Sequence, residues 1–327
     1  MKKILIRLLG LLLGSVLFAV IFFFMLLPEQ RPASDVQVEM TPENIARGRY
    51  MAINVLQCVD CHSERDWTLY GGPPKEPVGA GRACMTRETI AAGVNAGQEH
   101  FPGKLCIRNI TPDIETGLGA WTDGEIIRAV REGVDHQGEG LFPIMPYFIY
   151  RNVADDDIEA VVAYLRSMEP VVSVRPERQI DFPLNMLVRT WPEPFDSPAA
   201  RPDANDSVAT GEYLATVARC KFCHTAKDPQ SMEGIPEREF SGGMPFFLNG
   251  RTMYTMNLTP HESGLGNGTR EQFIQLFKSR AVPVKVDPTA NTLMNWEAFA
   301  GMTEEDLGAL YDFFMTLPPR PYIQESI

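Results

Sequence analysis

Two stretches of the chain repeat the same motifs in the same order. The motif Cys58-Val-Asp-Cys61-His62 recurs as Cys220-Lys-Phe-Cys223-His224. Each is preceded by a similar helical segment, Gly48-Arg-Tyr50 in the first stretch and Gly211-Glu-Tyr213 in the second. This duplication constrains the fold more than any single motif, because both copies must adopt the same local structure.

The agreement between the copies continues downstream. An Asn-x-Thr-Pro loop follows at 109–112 and again at 257–260. Each loop leads to a helix start with a capping box, in which the cap residue and a side chain three positions later bond each other's backbone N–H groups. The capping pairs are Thr122 with Glu125 and Thr269 with Gln272. Apolar residues at helical spacing then close the copies over 155–167 and 303–317.

The two copies are predicted to be helical domains joined by a linker. Strand patterns are nearly absent, which favours an all-α fold. The domains are 41–169 and 207–319, called here the first and second copy. The intervening segment 170–206 is rich in Pro and charge. Its aromatic and aliphatic residues favour a strap packed on a domain surface over a free tether.

The N-terminus contains an apolar run. Residues 8–27 carry no charge, and a helix of this length is about 30 Å long, enough to cross a bilayer. Lys2, Lys3 and Arg7 precede the run, so the N-terminus is expected to stay cytoplasmic and the remainder to be exported. A cleaved signal is the alternative, but the run leads to Pro28 without a small-residue cleavage site. We therefore predict that residues 1–28 form a membrane anchor.

The net charge of −12 bears on the partners of the exported part. An acidic surface repels the phosphate backbone, which argues against nucleic acid as a partner. Two explanations of the acidity stay open. It keeps the domain soluble, or it steers the domain toward a basic face of a protein partner.

The repeated Cys-x-x-Cys-His motif is the attachment pattern of c-type haem. Two thiols on one turn reach the two vinyl groups of the haem, and the adjacent imidazole binds the iron. The sequence therefore predicts two covalently attached haem c groups, one on each motif. A redox Cys-x-x-Cys pair needs neither the His nor a second copy, and a zinc site needs four ligands.

We expect a methionine as the other axial ligand of each iron, because its soft sulfur favours ferrous iron. Met145 lies in a Pro-bounded loop before the closing helix of the first copy. Met294 has the equivalent place in the second copy, and each lies 11 residues before an acidic residue of the next helix. The chain has 15 Met, so most of them fill the core. His100, His136 and His261 are competing ligands, but each lies in a polar, turn-rich stretch typical of a surface.

Cys84 and Cys106 lie outside the repeated motifs, in a segment that lengthens the first copy. In an oxidising compartment, a disulfide that closes this segment is the expected state. The alternative is a thiolate ligand on the first iron, which would displace Met145 and lower the haem potential. That alternative leaves the other cysteine unexplained.

These motifs resemble the cytochrome c subunits of membrane-bound periplasmic dehydrogenases that act on alcohols, aldehydes or gluconate. The most specific stretch is 109–125, followed by 128–133 and Met145-Pro-Tyr. The resemblance implies two tandem class I cytochrome c domains after a transmembrane helix. It implies thioether links at Cys58, Cys61, Cys220 and Cys223, with iron ligands His62, Met145, His224 and Met294.

The chain departs from this family in two respects. Family members commonly have three haem domains and an anchor near the C-terminus, whereas this chain has two haem motifs and an N-terminal apolar helix. The second copy has Met294-Asn295 where Met-Pro is usual. These departures leave the dehydrogenase partner open.

The expected function is electron transfer at the periplasmic face of a bacterial inner membrane. The partners would be a dehydrogenase, a quinol-oxidising complex or an oxidase, with no small-molecule substrate and no nucleic acid. One alternative is a dihaem enzyme that resembles peroxidases or thiosulfate dehydrogenases, which requires an open iron position. Another is a fixed cytochrome c subunit of an oxidase or a supercomplex.

Overall fold

The computed structural model describes residues 2–25, 27–86, 102–195, 197–228 and 233–323. Its α-helices are α1 (Lys2–Met25), α2 (Pro42–Tyr50), α3 (Cys58–Cys61), α4 (Asp123–Glu132), α5 (Tyr147–Tyr150), α6 (Asp155–Ser167), α7 (Leu184–Leu187), α8 (Ser207–Val217), α9 (Cys220–Cys223), α10 (Arg270–Lys278), α11 (Trp296–Ala300) and α12 (Glu304–Thr316). The strands are β1 (Arg82–Met85), β2 (Gly103–Ile107), β3 (Gln179–Ile180), β4 (Pro245–Leu248) and β5 (Arg251–Tyr254). Helices therefore dominate the described part of the chain.

The N-terminal helix α1 has the length and composition of a membrane span. Its segment Lys2–Phe22 has a mean hydropathy of 2.6 and buries none of its window within the protein. A secretory signal sequence has the same properties. An apolar helix with no protein packed around it is suited to a lipid environment in either case.

The chain divides into two compact units that do not follow the sequence copies. The first unit comprises Met1–Gln37, Trp121–Arg151 and Ile180–Ser197. The second comprises Val38–Ala120, Asn152–Gln179 and Pro198–Ile327. Both Cys-x-x-Cys-His motifs and both closing helices belong to the second unit.

Helix α4 is the centre of the first unit. Thr122 and Glu125 form the predicted capping box at its start, and Gly133 ends it in the left-handed conformation with φ 74°. At its C-terminal end, Glu132 is almost fully buried and forms an ion pair of 2.7 Å with Arg31. This pair holds the chain that follows α1 against α4.

The segment 180–197 packs on the rest of the first unit. Val188 is buried, and Arg189 forms an ion pair of 2.7 Å with Glu139. The Trp191 ring contacts the Phe142 ring edge-on, with 6.3 Å between the ring centroids. Phe182 remains exposed, so this aromatic residue near the start of the segment does not take part in the packing.

The second unit is built on two similar helix crossings. Helix α2 packs against α6, and α8 packs against α12. Each crossing has a glycine where the two helices come closest. A Cβ atom on Gly48 would lie 1.7 Å from the carbonyl oxygen of Ala160. A Cβ atom on Gly211 would lie 1.9 Å from the carbonyl oxygen of Ala309. The equivalent glycines therefore let both helix pairs approach at backbone distance.

Two small sheets accompany the helices and were not expected from the sequence, one of three strands in the order β1-β2-β3 and one of two strands, β4-β5. Strand β1 pairs with β2, and a disulfide between Cys84 and Cys106 joins them. Strands β4 and β5 form a hairpin whose turn residues Asn249 and Gly250 have φ values of 51° and 81°. An Asn-Gly pair suits this turn because both residues tolerate positive φ. The expected disulfide is thus confirmed, and neither of its sulfurs is a free thiolate.

Candidate haem-binding site

Each Cys-x-x-Cys-His motif forms one turn of helix. The residue before the first cysteine turns the chain with a positive φ, 59° at Gln57 and 64° at Arg219. The N–H of His62 then donates to the Cys58 carbonyl oxygen at 2.9 Å, and His224 repeats this bond with Cys220. In both copies, the two thiols and the imidazole therefore leave the same turn of backbone.

The imidazole of each motif is oriented by a backbone carbonyl. Nδ1 of His62 lies 2.8 Å from the carbonyl oxygen of Arg108, and Nδ1 of His224 lies 2.8 Å from that of Met256. Since a carbonyl oxygen can only accept, Nδ1 carries the proton and Nε2 keeps its lone pair. Burial lowers the pKa of both rings, although the carbonyl contact opposes it, and this favours the neutral imidazole that a metal requires.

Buried Asn-x-Thr loops fix those carbonyl groups. In the first copy, Asn109 directly follows Arg108, and its Oδ1 accepts hydrogen bonds of 2.9 and 2.8 Å from the N–H and hydroxyl of Thr111. Its Nδ2 donates to the carbonyl oxygen of Val171, beyond the closing helix, at 2.7 Å. The loop is therefore tied to the chain that directly follows its own copy.

The second copy repeats this arrangement. Asn257 directly follows Met256, and its Oδ1 accepts 2.8 Å bonds from the N–H and hydroxyl of Thr259. Its Nδ2 donates to the Arg320 carbonyl oxygen at 2.8 Å. The two imidazoles thus have the same support, which explains why the Asn-x-Thr-Pro sequence recurs with the Cys-x-x-Cys-His motif.

Burial disfavours the thiolate form at three of the four cysteines of these motifs. Burial raises the pKa of Cys58 and of Cys220 to about 12, and it also raises the pKa of Cys223. Redox-active Cys-x-x-Cys pairs need a thiolate, and hence a lowered pKa. In the described ranges, His, Cys, Asp and Glu side chains form no group of three or more that could hold a metal ion. The raised thiol pKa values argue against a redox-active pair at either motif.

The two candidate methionines have the same local backbone. The carbonyl oxygen of Met145 accepts a bond of 2.8 Å from Tyr147, and that of Met294 accepts one of 2.9 Å from Trp296. Each methionine is half-buried and lies directly before a short helix, α5 or α11. Met145 belongs to the first unit and Met294 to the second. The local match agrees with the alignment of the two loops.

The competing histidines make contacts of other kinds. The His136 ring contacts the Trp121 ring at a tilt of 34°, with 4.4 Å between centroids. His261 accepts a hydrogen bond of 3.1 Å from the N–H of Ser263 within its own turn. His100 lies outside the described residues. His136 is exposed, as its polar, turn-rich stretch predicts.

The second unit also holds donors that suit a carboxylate-bearing group. Trp296 Nε1 and Gln57 Nε2 are buried and have no hydrogen-bond partner within the described chain. Buried donors normally have an acceptor, because a lost hydrogen bond costs about 1 to 3 kcal/mol. The two propionates of a haem are acceptors of this kind. The donors, the paired thiols and the free Nε2 atoms together fit haem c.

Gln57 and Arg219 also belong to this site, although the sequence does not indicate it. They are equivalent residues, each directly before the first cysteine of its motif. Arg219 Nη2 lies 3.1 Å from Gln57 Oε1 and donates to it. Arg219 also opposes the rise in pKa of Cys58 and of Cys220. The helical turns of the two Cys-x-x-Cys-His motifs, called here the attachment turns, therefore lie near each other, and no sequence signal predicts this contact.

Comparison with known proteins agrees with the motifs, although no family model matches the chain. A nicotinate dehydrogenase subunit of Pseudomonas putida is 35% identical over 177 residues, which are 51% of this chain. The alcohol dehydrogenase (quinone) cytochrome c subunit of Gluconacetobacter polyoxogenes is 26% identical over 298 residues, 85% of this chain. The gluconate 2-dehydrogenase cytochrome c subunit of Pantoea cypripedii is 27% identical over 274 residues, 80% of this chain.

The predicted resemblance to cytochrome c subunits of dehydrogenases is thereby confirmed. The chain spans about half of the two cytochrome c subunits, 56% and 54% of their lengths, and 15% of the nicotinate dehydrogenase subunit. The two cytochrome c subunits therefore match most of this chain, and the nicotinate dehydrogenase subunit matches about half of it, but each match covers only part of the relative.

Proposed function

We propose that the chain is a dihaem cytochrome c that transfers electrons from a dehydrogenase to a further redox partner. One haem c would be attached to Cys58 and Cys61 with His62 on its iron, and the other to Cys220 and Cys223 with His224. Met145 and Met294 would be the opposite axial ligands. Haem supplies reversible one-electron chemistry when bound, and the chain's own residues orient the ligands and exclude water.

The observation that carries the proposal is the repeated support of the two imidazoles. Each His donates its Nδ1 proton to a carbonyl group at 2.8 Å, and a buried Asn-x-Thr loop follows that carbonyl. A bond of this kind fixes the tautomer and the ring orientation of a metal-binding His. A stable six-coordinate iron is suited to electron transfer, because no substrate bond has to form on it.

The proposed architecture is two tandem class I cytochrome c domains, 41–169 and 207–319, joined by the strap 170–206. The segment 1–28, which contains helix α1, would anchor the chain in the bacterial inner membrane and leave both domains in the periplasm. Oxidising surroundings agree with the disulfide between Cys84 and Cys106. Confinement to the membrane plane would bring the domains to membrane-bound partners.

The donor class follows from the relatives. Two of them are cytochrome c subunits of an alcohol dehydrogenase (quinone) and a gluconate 2-dehydrogenase. We propose that a periplasmic dehydrogenase or a quinol-oxidising complex donates the electrons and that a terminal acceptor, such as an oxidase, receives them. The net charge of −12 favours docking to a basic face of such a partner.

The test is haem stoichiometry. The full chain, made in a host that attaches haem c, should gain the mass of two haems, and potentiometric titration should resolve two one-electron centres. Replacing Cys58 and Cys61 by Ser should remove one haem, and replacing Cys220 and Cys223 should remove the other. The matched control replaces Cys84 and Cys106 and should keep both. A bare polypeptide would refute the haem assignment, and rapid carbon monoxide binding by the reduced wild type would favour an enzyme.

A further inference from the structure

The loop that carries Met294 is held by a buried asparagine. The Oδ1 atom of Asn291 accepts a hydrogen bond of 2.8 Å from the N–H of Gly71, and its Nδ2 donates to the carbonyl oxygens of Trp67 and Leu69 at 2.9 and 3.0 Å. Asn291 is only 2% exposed. All three partners belong to the first copy, and all of these residues lie in the second unit.

A second asparagine fixes the other end of this loop. Asn295 directly follows Met294, and its Nδ2 donates to Gln57 Oε1 at 2.7 Å. Its Oδ1 accepts a bond of 2.7 Å from Nη2 of Arg65. The Arg65 side chain is nearly buried and lies 3.8 Å from the Asp60 carboxylate, inside the first Cys-x-x-Cys-His motif. The first copy therefore contacts the loop on both sides of Met294.

Gln57 links this loop to both attachment turns. It directly precedes Cys58, and its Oε1 accepts from Asn295 and also from Arg219, which directly precedes Cys220. Gln57 is 3% exposed. Hydrogen bonds between buried groups are costly to lose, because no water replaces the missing partner. The Gln57 carboxamide thus joins the loop with Met294 to the side chain of the residue that precedes the second thiol pair.

The backbone of the loop does not itself require Asn295. The φ of Asn295 is −79°, and that of Pro146, which occupies the equivalent position after Met145, is −83°. The other loop residue, Asn291, aligns with Phe142. Neither Phe142 nor Pro146 has a side chain that could form these hydrogen bonds. The two asparagine side chains are therefore needed for the hydrogen bonds to the first copy, and not only for the backbone conformation of the loop that carries Met294.

We propose that Asn291 and Asn295 are positioning residues for Met294, and that they make closure of its loop depend on contacts that the first copy supplies. This inference rests on the proposed function, in which Met294 binds the second iron. The second axial ligand would then be held by the first domain as well as by its own. Loss of either side chain would favour an open loop on the order of tenfold, since about 1.4 kcal/mol corresponds to a factor of 10.

The test compares full-length haem-loaded variants. Asn291→Ala and Asn295→Ala should each speed carbon monoxide binding to one of the two reduced haems on the order of tenfold. They should also weaken the sulfur–iron charge-transfer band by up to about half, since one of two centres is affected. Asn295→Pro keeps the backbone angle and should behave like Asn295→Ala. The matched control is Thr289→Ala, an exposed residue near the same loop whose hydroxyl donates to Asp287, and it should change neither signal.

Unchanged carbon monoxide binding in both alanine variants would overturn the inference, and so would equal effects at both haems. If Asn291→Ala lowers the haem content, the inference is judged on Asn295→Pro instead. Faster carbon monoxide binding at one haem of that variant would support the inference, and unchanged binding or equal effects at both haems would overturn it. A wild type that carries fewer than two haems would refute the proposed function itself. A wild type with two haems but no charge-transfer band would refute the role of Met294 and leave haem attachment standing.

Discussion

The hydroxyl of Tyr213 donates a hydrogen bond of 2.7 Å to the carboxylate of Asp157. Tyr213 belongs to the second copy, whereas Asp157 lies in the closing helix of the first. Tyr50 and Asp306 form the same pair with the copies exchanged. Each tyrosine hydroxyl also accepts a bond of 3.2 Å from the residue that precedes the partner helix. The copies therefore meet through a reciprocal contact, as in a symmetric dimer.

The two tyrosines should stabilise this contact independently. Tyr213→Phe and Tyr50→Phe each remove one hydrogen bond to a carboxylate, and each should lower the free energy of unfolding by about 1.5 to 3 kcal/mol. Because the pairs share no residue, the losses should add in the double variant. Urea denaturation measures the free energies. Tyr254→Phe, whose hydroxyl has no such contact in the described chain, is the control and should change it by less than about 0.5 kcal/mol.

The same tyrosines predict a fall in stability at alkaline pH. Burial, and then the neighbouring carboxylate, raises the pKa of both Tyr50 and Tyr213 above the ordinary value of 10.0. The folded state then holds protons that the unfolded state releases above this pH. Their contribution is fully present below pH 10.0 and is lost as the pH rises above it. Denaturation at several alkaline pH values should show that the free energy of unfolding falls as the pH rises, and each Tyr→Phe variant should make this fall less steep. An equally steep fall in the double variant would show that these two tyrosines do not cause it.

Local features of the fold follow from the sequence because neighbouring residues determine them. The capping boxes at Thr122 and Thr269 form as predicted, and the closing helices are Asp155–Ser167 and Glu304–Thr316, close to the expected ranges. The single helical turns at both Cys-x-x-Cys-His motifs and the disulfide also follow from local patterns. The β4–β5 hairpin was missed, although Asn249-Gly250 is a turn signal that could have predicted it.

Contacts between distant parts of the chain were not predictable. Asn295 and Gln57 are 238 residues apart, and their bond depends on how the two copies meet. The hydrophobic pattern of one sequence indicates which faces are buried but not which polar side chains pair across an interface. Asn295 could be recognised in the sequence only as a departure from Met-Pro. Only the structure shows that Gln57 is its hydrogen-bond partner.

The disulfide between Cys84 and Cys106 should contribute measurably to stability. It closes a segment with a sequence separation of 22 residues, for which loop closure in the unfolded chain corresponds to roughly 3 kcal/mol. Replacing both cysteines by Ser should lower the free energy of unfolding by about this amount. The optical spectrum of the haems should not change, because neither sulfur is an iron ligand. A shifted spectrum in this variant would instead support the thiolate alternative.

The glycines at the helix crossings provide the sharpest test of the packing. Glycine to alanine normally stabilises a helix interior by about 1 kcal/mol. At Gly48 and Gly211 we expect the opposite, because the added Cβ would lie 1.7 and 1.9 Å from carbonyl oxygens of the facing helices. Backbone cannot yield as a flexible side chain does, so Gly48→Ala and Gly211→Ala should each cost about 2 kcal/mol or more.

The neighbouring exposed residues Arg49 and Glu212 supply the controls for these variants. Arg49→Ala and Glu212→Ala change the same helices without entering the crossing, and each should alter the free energy of unfolding by less than about 0.5 kcal/mol. Because α2 and α8 precede the two Cys-x-x-Cys-His motifs by a few residues, the glycine variants should also incorporate less haem at the affected motif. If Gly48→Ala and Gly211→Ala instead raised stability like ordinary helix substitutions, the helices could not cross as closely as these glycines permit.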